Sequence, residues 1–89
     1  MLPIEDEEEV CRCIRDHLER EYKVLTAFSG EDGLSILNKE KVSLVILDYM
    51  LPDIDGLEVL RNIKEKYGLP VIMITAYGNK KVALKNWKY

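Results

Sequence analysis

The sequence predicts an α/β domain built on a parallel sheet with helices wound on both faces. Three observations predict it. Two continuous apolar runs, Leu44-Val45-Ile46-Leu47 and Val71-Ile72-Met73-Ile74, are rich in β-branched residues and bounded by turn signals, as strands buried on both faces are. Each run stops at a polar residue, Asp48 and Thr75. Segments with helical apolar spacing lie between and around the runs, and that alternation implies parallel strands joined by right-handed crossovers.

The elements follow in order. Leu2-Pro3-Ile4 is the only material for a first strand, and Pro3 removes a ladder donor from it. The acids Glu7, Glu8 and Glu9 suit the first turn of a helix, where the dipole favours negative charge. Glu5 and Asp6 differ from them by following the apolar stub directly. Val10, Ile14 and Leu18, with Cys11 beside them, space a helix over residues 7–21. Tyr22 to Thr26 reads as a second strand. Ser29 followed by Asp32 is a capping-box variant that opens a second helix with Leu34, Ile36 and Leu37, ending near Asn38.

Lys39-Glu40-Lys41 is a solvated turn, and the strand at residues 42–48 follows it. Pro52 and Gly56 break regular structure. Leu57, Leu60, Ile63 and Tyr67, flanked by Val59, space a third helix, which Gly68 and Pro70 stop. Residues 71–75 form a further strand, and Val82, Ala83, Asn86 and Trp87 outline one face of a last helix. The chain contains no internal repeat, low-complexity segment or linker.

Eighty-nine residues bound the chain to one domain, residues 1–89, near the small end of what folds on its own core. Apolar residues are 47% and charged residues 33%, a globular balance. The net charge of −3 argues against non-specific nucleic-acid binding, which needs a basic face. No apolar run approaches the ~20 residues of a membrane helix and no signal peptide is visible, so a cytoplasmic location is expected. Cys11 and Cys13, two residues apart, point to different helix faces and are read as small helix residues in a reducing compartment. His17 is read as a bland surface or partly buried histidine, without Cys or carboxylate partners at metal spacing on its helix face.

Asp48 ends a buried parallel strand, the place where open α/β sheets put their ligands. The run Leu47-Asp48-Tyr49-Met50-Leu51-Pro52-Asp53-Ile54-Asp55-Gly56-Leu57 resembles the receiver domain of bacterial response regulators. Leu69 to Gly78 is a second match and Ile4-Glu5-Asp6-Glu7 a third. The combination spans residues 4–78, and it is the combination that is specific. The resemblance implies a flavodoxin-like sheet, here of strand order 2-1-3-4 because no fifth strand follows. Two other readings of Asp53-Ile54-Asp55-Gly56 fail. A dehalogenase-like phosphatase puts its first Asp directly at the strand end, and an EF-hand loop would place its end ligands at Leu51 and Asn62. Asp53 and Asp55 are therefore read as loop residues, with Gly56 serving turn geometry.

In this topology the strand ends bring Glu5, Asp6 and Asp48 together, with Thr75 beside them. Three carboxylates repel one another, and a hard divalent cation with oxygen ligands relieves the repulsion, which suits Mg2+ (or Mn2+). The resemblance implies that Asp6, Asp48 and the main-chain carbonyl of Met50 ligate the metal, with Glu5 acting through water. It implies that Asp48 accepts a phosphoryl group from a sensor histidine kinase or a phosphotransfer protein, a signalling role rather than enzymatic turnover. The Thr75 hydroxyl and the N–H groups of Met50 and Ala76 would hold phosphate oxygens.

The family has a fifth strand ending in Lys-Pro and a fifth helix, and this chain is expected to lack both. Lys80, Lys81, Lys85 and Lys88 are read as a solvated helix face. The 71–75 strand is then expected to be an unpaired apolar edge, so that the chain self-associates through that edge or a helix face, with output in trans. The rival to a phosphoacceptor is a non-phosphorylated interaction or dimerisation module. A hydrolase working through an aspartyl phosphate fits only the bare chemistry.

Overall fold

A computed structural model describes residues 1–77 and 80–87, and beyond Ile74 its backbone alone. The elements are β1 (Leu2–Ile4), α1 (Glu8–Leu18), α2 (Gly30–Lys39), β2 (Val45–Asp48), α3 (Gly56–Lys66), β3 (Val71–Tyr77) and β4 (Lys80–Trp87). The sheet order is β1-β2-β3-β4. β1 pairs parallel with β2, and β2 parallel with β3. β4 returns antiparallel along β3.

The apolar runs become strands because both of their faces are covered. Leu2, Ile4, Val45, Leu47, Val71 and Met73 point to one face and join Leu37, Val59, Leu60 and Ile63 from α2 and α3 in the main core. Ile46, Ile72 and Ile74 point to the other face, towards Ile14 and Leu18 of α1. The helices start and stop where the local chemistry directs. The Ser29 hydroxyl accepts the Asp32 N–H at the start of α2, and the Asp55 carboxylate accepts the Leu57 N–H at the start of α3. Gly68, at φ +63°, ends α3 with its N–H on the Ile63 carbonyl at 3.0 Å.

The structure departs from the sequence expectations in three places. The strand expected at residues 22–26 does not form, and the order 2-1-3-4 is not observed. The segment does run beside β1: Leu25 donates to the Met1 carbonyl, Ala27 to Pro3 and Glu5 to Ala27, at 3.0, 3.0 and 2.9 Å. Only an isolated parallel bridge, Ile4 with Ala27, results. The reason lies in Pro3. The Leu2 N–H points to Leu44 on the β2 side, so the N–H that Pro3 lacks belongs to the opposite side, where residues 22–27 lie.

The last helix expected around Val82–Trp87 is replaced by β4, and the edge of β3 expected to be bare is paired with it. An eight-residue helix has little stability of its own, while an open strand edge carries a row of unpaired backbone groups that a returning strand satisfies. Tyr77 is in register with Lys80, and the two intervening residues in the sequence, Gly78-Asn79, are of a kind favoured in hairpin connections. The lysines expected on a helix face accordingly stand on a strand, Lys80 opposite Tyr77 and Lys81 opposite Ala76. Lys88 lies outside the described residues.

Leu60, 1% exposed between α3 and the sheet, provides a test of the core. Leu60→Ala is expected to lower the unfolding free energy by about 2–5 kcal/mol, read from urea denaturation with an unchanged slope.

Candidate functional site

Register alone assembles the acidic site. Ile4 lies beside Leu47, so the next residues along, Glu5 and Asp48, meet at the C-terminal edge of the sheet. Asp48 ends β2 opposite Ile74, and the Tyr49 N–H closes that corner on the Ile74 carbonyl at 2.8 Å. Glu5 and Asp48 are 1% and 0% exposed, while Asp6 faces solvent. One carboxylate oxygen from each of Glu5, Asp6 and Asp48 lies within 4.8 Å of the other two.

Main-chain donors hold these carboxylates. The Met50 N–H donates to Asp48 Oδ1 at 3.1 Å, and the Glu7 N–H to Glu5 Oε2 at 2.9 Å. The Cys11 thiol, buried in α1, donates to the Glu5 carbonyl at 3.3 Å and ties the start of the helix to the end of β1. Three carboxylates at such separation, two of them withdrawn from water, carry a repulsion that a divalent cation relieves. An all-oxygen donor set with one solvent-facing member leaves room for water and a phosphate, which fits Mg2+. Glu5, Asp6 and Asp48 could hold it, with the Met50 carbonyl on the adjoining loop.

Thr75 and Ala76 follow Ile74 along β3 at the same end of the sheet, in register with Val82 and Lys81. The roles expected of the Thr75 hydroxyl and the Ala76 N–H lie outside the described groups. The Met50 N–H, expected to meet a phosphate oxygen, here serves Asp48.

Two residues read as plain loop have defined partners. Asp55 caps α3, and Glu58 three residues later completes a capping-box spacing that the sequence displays. Asp53 accepts the N–H groups of Gly30 and Glu31, both at 2.9 Å, across more than twenty residues of chain. No short-range signal announces that contact. It holds the Asp53 carboxyl below its ordinary value of 3.8, with the Glu31 N–H the largest cause, desolvation opposing and the Gly30 N–H adding. His17 is exposed, as expected of a surface histidine, but the expectation that no Cys shares its helix face needs correction. Cys13 stands one helical turn before it, with Sγ 3.8 Å from Nδ1, while Nδ1 lies 2.8 Å from the Cys13 carbonyl.

The loop after Asp48 is also closed by packing. A Cβ on Gly56 would lie 2.5 Å from the Tyr49 carbonyl oxygen and 2.8 Å from its Cα, backbone atoms that would have to shift.

The parallel strands β1 and β2 bring three carboxylates together at their C-terminal ends, and comparison with known proteins specifies the family. The family model of the response regulator receiver domain matches residues 1–89, and the chain belongs to that family, the receivers of two-component systems. It is 44% identical over 77 residues to the transcriptional regulatory protein AfsQ1 of Streptomyces coelicolor, covering 85% of this chain and 34% of that protein. The chain thus spans about a third of the length of that relative. The crystal structure of the response regulator TrrA from Thermotoga maritima in complex with Mg2+-BeF is 35% identical, with a TM-score of 0.79 over 86% of this chain and 69% of that one. The N-terminal domain of a response regulator receiver protein from Methanoculleus marisnigri is 39% identical, with a TM-score of 0.79 over 85% and 65% of the two chains.

Two outcomes test the loop. Gly56→Ala is expected to cost about 1–3 kcal/mol of stability in chemical denaturation, because the Tyr49 backbone must shift. Asp53 is stabilising in its charged form, so its contribution is complete above the unfolded value of 3.8 and is lost as pH falls through the lower folded value. The stability gap between wild type and Asp53→Asn is therefore expected to be constant above roughly pH 5 and to shrink on further acidification, measured by urea unfolding across pH.

Proposed function

We propose that this chain is a phosphoacceptor: Asp48 receives a phosphoryl group from a sensor histidine kinase or a phosphotransfer protein, in the cytoplasm. The observation that carries this reading is the buried Asp48 at the end of β2, with Glu5 and Asp6 converging on it. Family membership supports it, and the Mg2+-BeF complex of TrrA supports Mg2+ as the cofactor.

In the proposed step an Asp48 carboxylate oxygen attacks the phosphorus of a phosphohistidine. The new P–O bond forms as the P–N bond breaks, and the imidazole leaves with the bonding pair and takes up a proton. The Met50 N–H on Oδ1 fixes the plane of the carboxylate before attack. Bound Mg2+ would supply charge neutralisation for the transferring group, held by Glu5, Asp6, Asp48 and the Met50 carbonyl. Thr75 and Ala76, next along β3, are the residues we assign to the phosphate oxygens. The chain on this reading is a signalling acceptor and not an enzyme with turnover.

A specific observation favours a second reading, an interaction module. Among the described residues, Cys13, Ile14, His17 and Leu18 of α1 and Ile46, Ile72 and Ile74 of the sheet line an apolar hollow of about 440 Å³. On that reading the chain associates through this helix face, since β4 covers the edge of β3.

Intact-protein mass after incubation with acetyl phosphate and Mg2+ separates the two. The phosphoacceptor gains one phosphoryl group, Asp48→Asn gains none, and removing Mg2+ with a chelator slows the gain by about a hundredfold or more. A folded wild-type chain that gains nothing, with a light-scattering mass above that of one chain, would establish the interaction module instead.

A further inference from the structure

We infer that Asp53 is a positioning residue for the acidic site, an electrostatic clamp that holds the metal-facing loop against the start of α2; the inference rests on the phosphoacceptor reading above. The loop from Tyr49 to Asp55 carries the Met50 N–H that orients Asp48 and the Met50 carbonyl assigned to the metal. Its two ends are secured independently. Tyr49 is bonded to Ile74, and Gly56 is packed against the Tyr49 backbone with Asp55 capping α3.

The stretch between those ends runs over the surface. Met50 is 61% exposed, Pro52 and Asp53 are exposed, and Leu51 and Ile54 are only partly buried against the core. Asp53 is the polar tie that fastens this stretch to another element. Its two oxygens take one N–H each, Oδ1 from Gly30 and Oδ2 from Glu31, and the positive end of the α2 dipole faces its charge. The fit is close: a Cβ on Gly30 would come within 3.1 Å of Val59 Cγ2, 3.2 Å of Ile54 Cβ and 3.4 Å of Asp53 Oδ1.

Together with the Ser29 hydroxyl on Asp32, the clamp completes the first turn of α2, so all three of its leading N–H groups are satisfied. The division of labour matters. Ser29 serves the helix alone, whereas Asp53 serves the helix and the loop. Holding a ligand-bearing loop in its binding geometry lowers the ordering cost that a metal would otherwise meet, and such supporting contacts affect affinity about 10–100-fold.

The test is calorimetric titration of the full chain with MgCl2, for wild type, Asp53→Asn and Ser29→Ala, alongside acetyl phosphate labelling at several Mg2+ concentrations. Asp53→Asn is expected to weaken Mg2+ binding about tenfold and to regain the wild-type labelling rate at saturating Mg2+. Ser29→Ala, which loses a cap on the same helix turn, is expected to lower the melting midpoint while leaving Mg2+ affinity unchanged. Equal Mg2+ affinity in wild type and Asp53→Asn overturns the inference. So does an equal loss in Ser29→Ala, which would make the effect one of helix stability.

Should Asp53→Asn not fold, Glu31→Pro removes one of the two donors from the helix side, at a first-turn N–H that has no intrahelical partner to lose. Unchanged Mg2+ affinity in that variant overturns the inference, and weakened affinity supports it. A wild-type chain that binds no Mg2+ and takes no phosphoryl group overturns the phosphoacceptor reading and this inference together. A competent wild type matched by Asp53→Asn overturns this inference alone.

Discussion

The parallel pairing of β1 with β2 puts two carboxylates, Glu5 and Asp48, side by side and out of water, and much of the structure answers to that constraint. Each is met by a main-chain N–H, from Glu7 and from Met50, that only a turn immediately after the strand supplies. Strands that ended in a regular continuation would leave these oxygens facing apolar side chains, at a cost of several kcal/mol for each charge. The chain therefore turns sharply at Glu5 and again at Asp48, into a helix in one case and a loop in the other. Cys11 reinforces the first turn by reaching back to the Glu5 carbonyl.

The loop after Asp48 shows how a segment without regular structure acquires a defined shape. Its beginning is tied to β3, its end is wedged against its own start, and its middle is bonded to the N-terminus of α2. Each tie uses a different chemistry: a strand-like hydrogen bond, the absence of a Cβ at Gly56, and a carboxylate on a helix dipole. A loop held at three points presents the same atoms to a ligand each time, which lowers the ordering cost of binding.

The sheet's two edges were resolved differently, and both depend on backbone donors. On the β1 side, the N–H that Pro3 lacks stops a ladder from growing, and residues 22–27 settle into a bridge with flanking hydrogen bonds. On the β3 side, β4 pairs antiparallel along the strand, with one irregularity in register between Ile72 and Ile74. Helical spacing of Val82, Ala83, Asn86 and Trp87 suggested a helix, yet in a segment this short a neighbouring edge outweighs local periodicity.

The sequence by itself determined the strands that are buried, the helices with apolar stripes longer than two turns, and the carboxylates of the site. Continuous apolar runs have no stable alternative to burial, and an acid at the end of such a run is confined to the sheet edge. Asp55 was also legible, as a capping residue one turn before Glu58, although composition makes it look like any loop acid. Only the tertiary structure decided the partner of Asp53, the contact of Cys13 with His17, the failed ladder at residues 22–26 and the fate of the last segment. The first depends on bringing α2 to a loop far along the chain, and the second on side-chain rotamers within a turn whose spacing alone looks ordinary. The last two turn on competition between backbone partners, which is settled when the neighbouring strand arrives and leaves no periodicity to read beforehand.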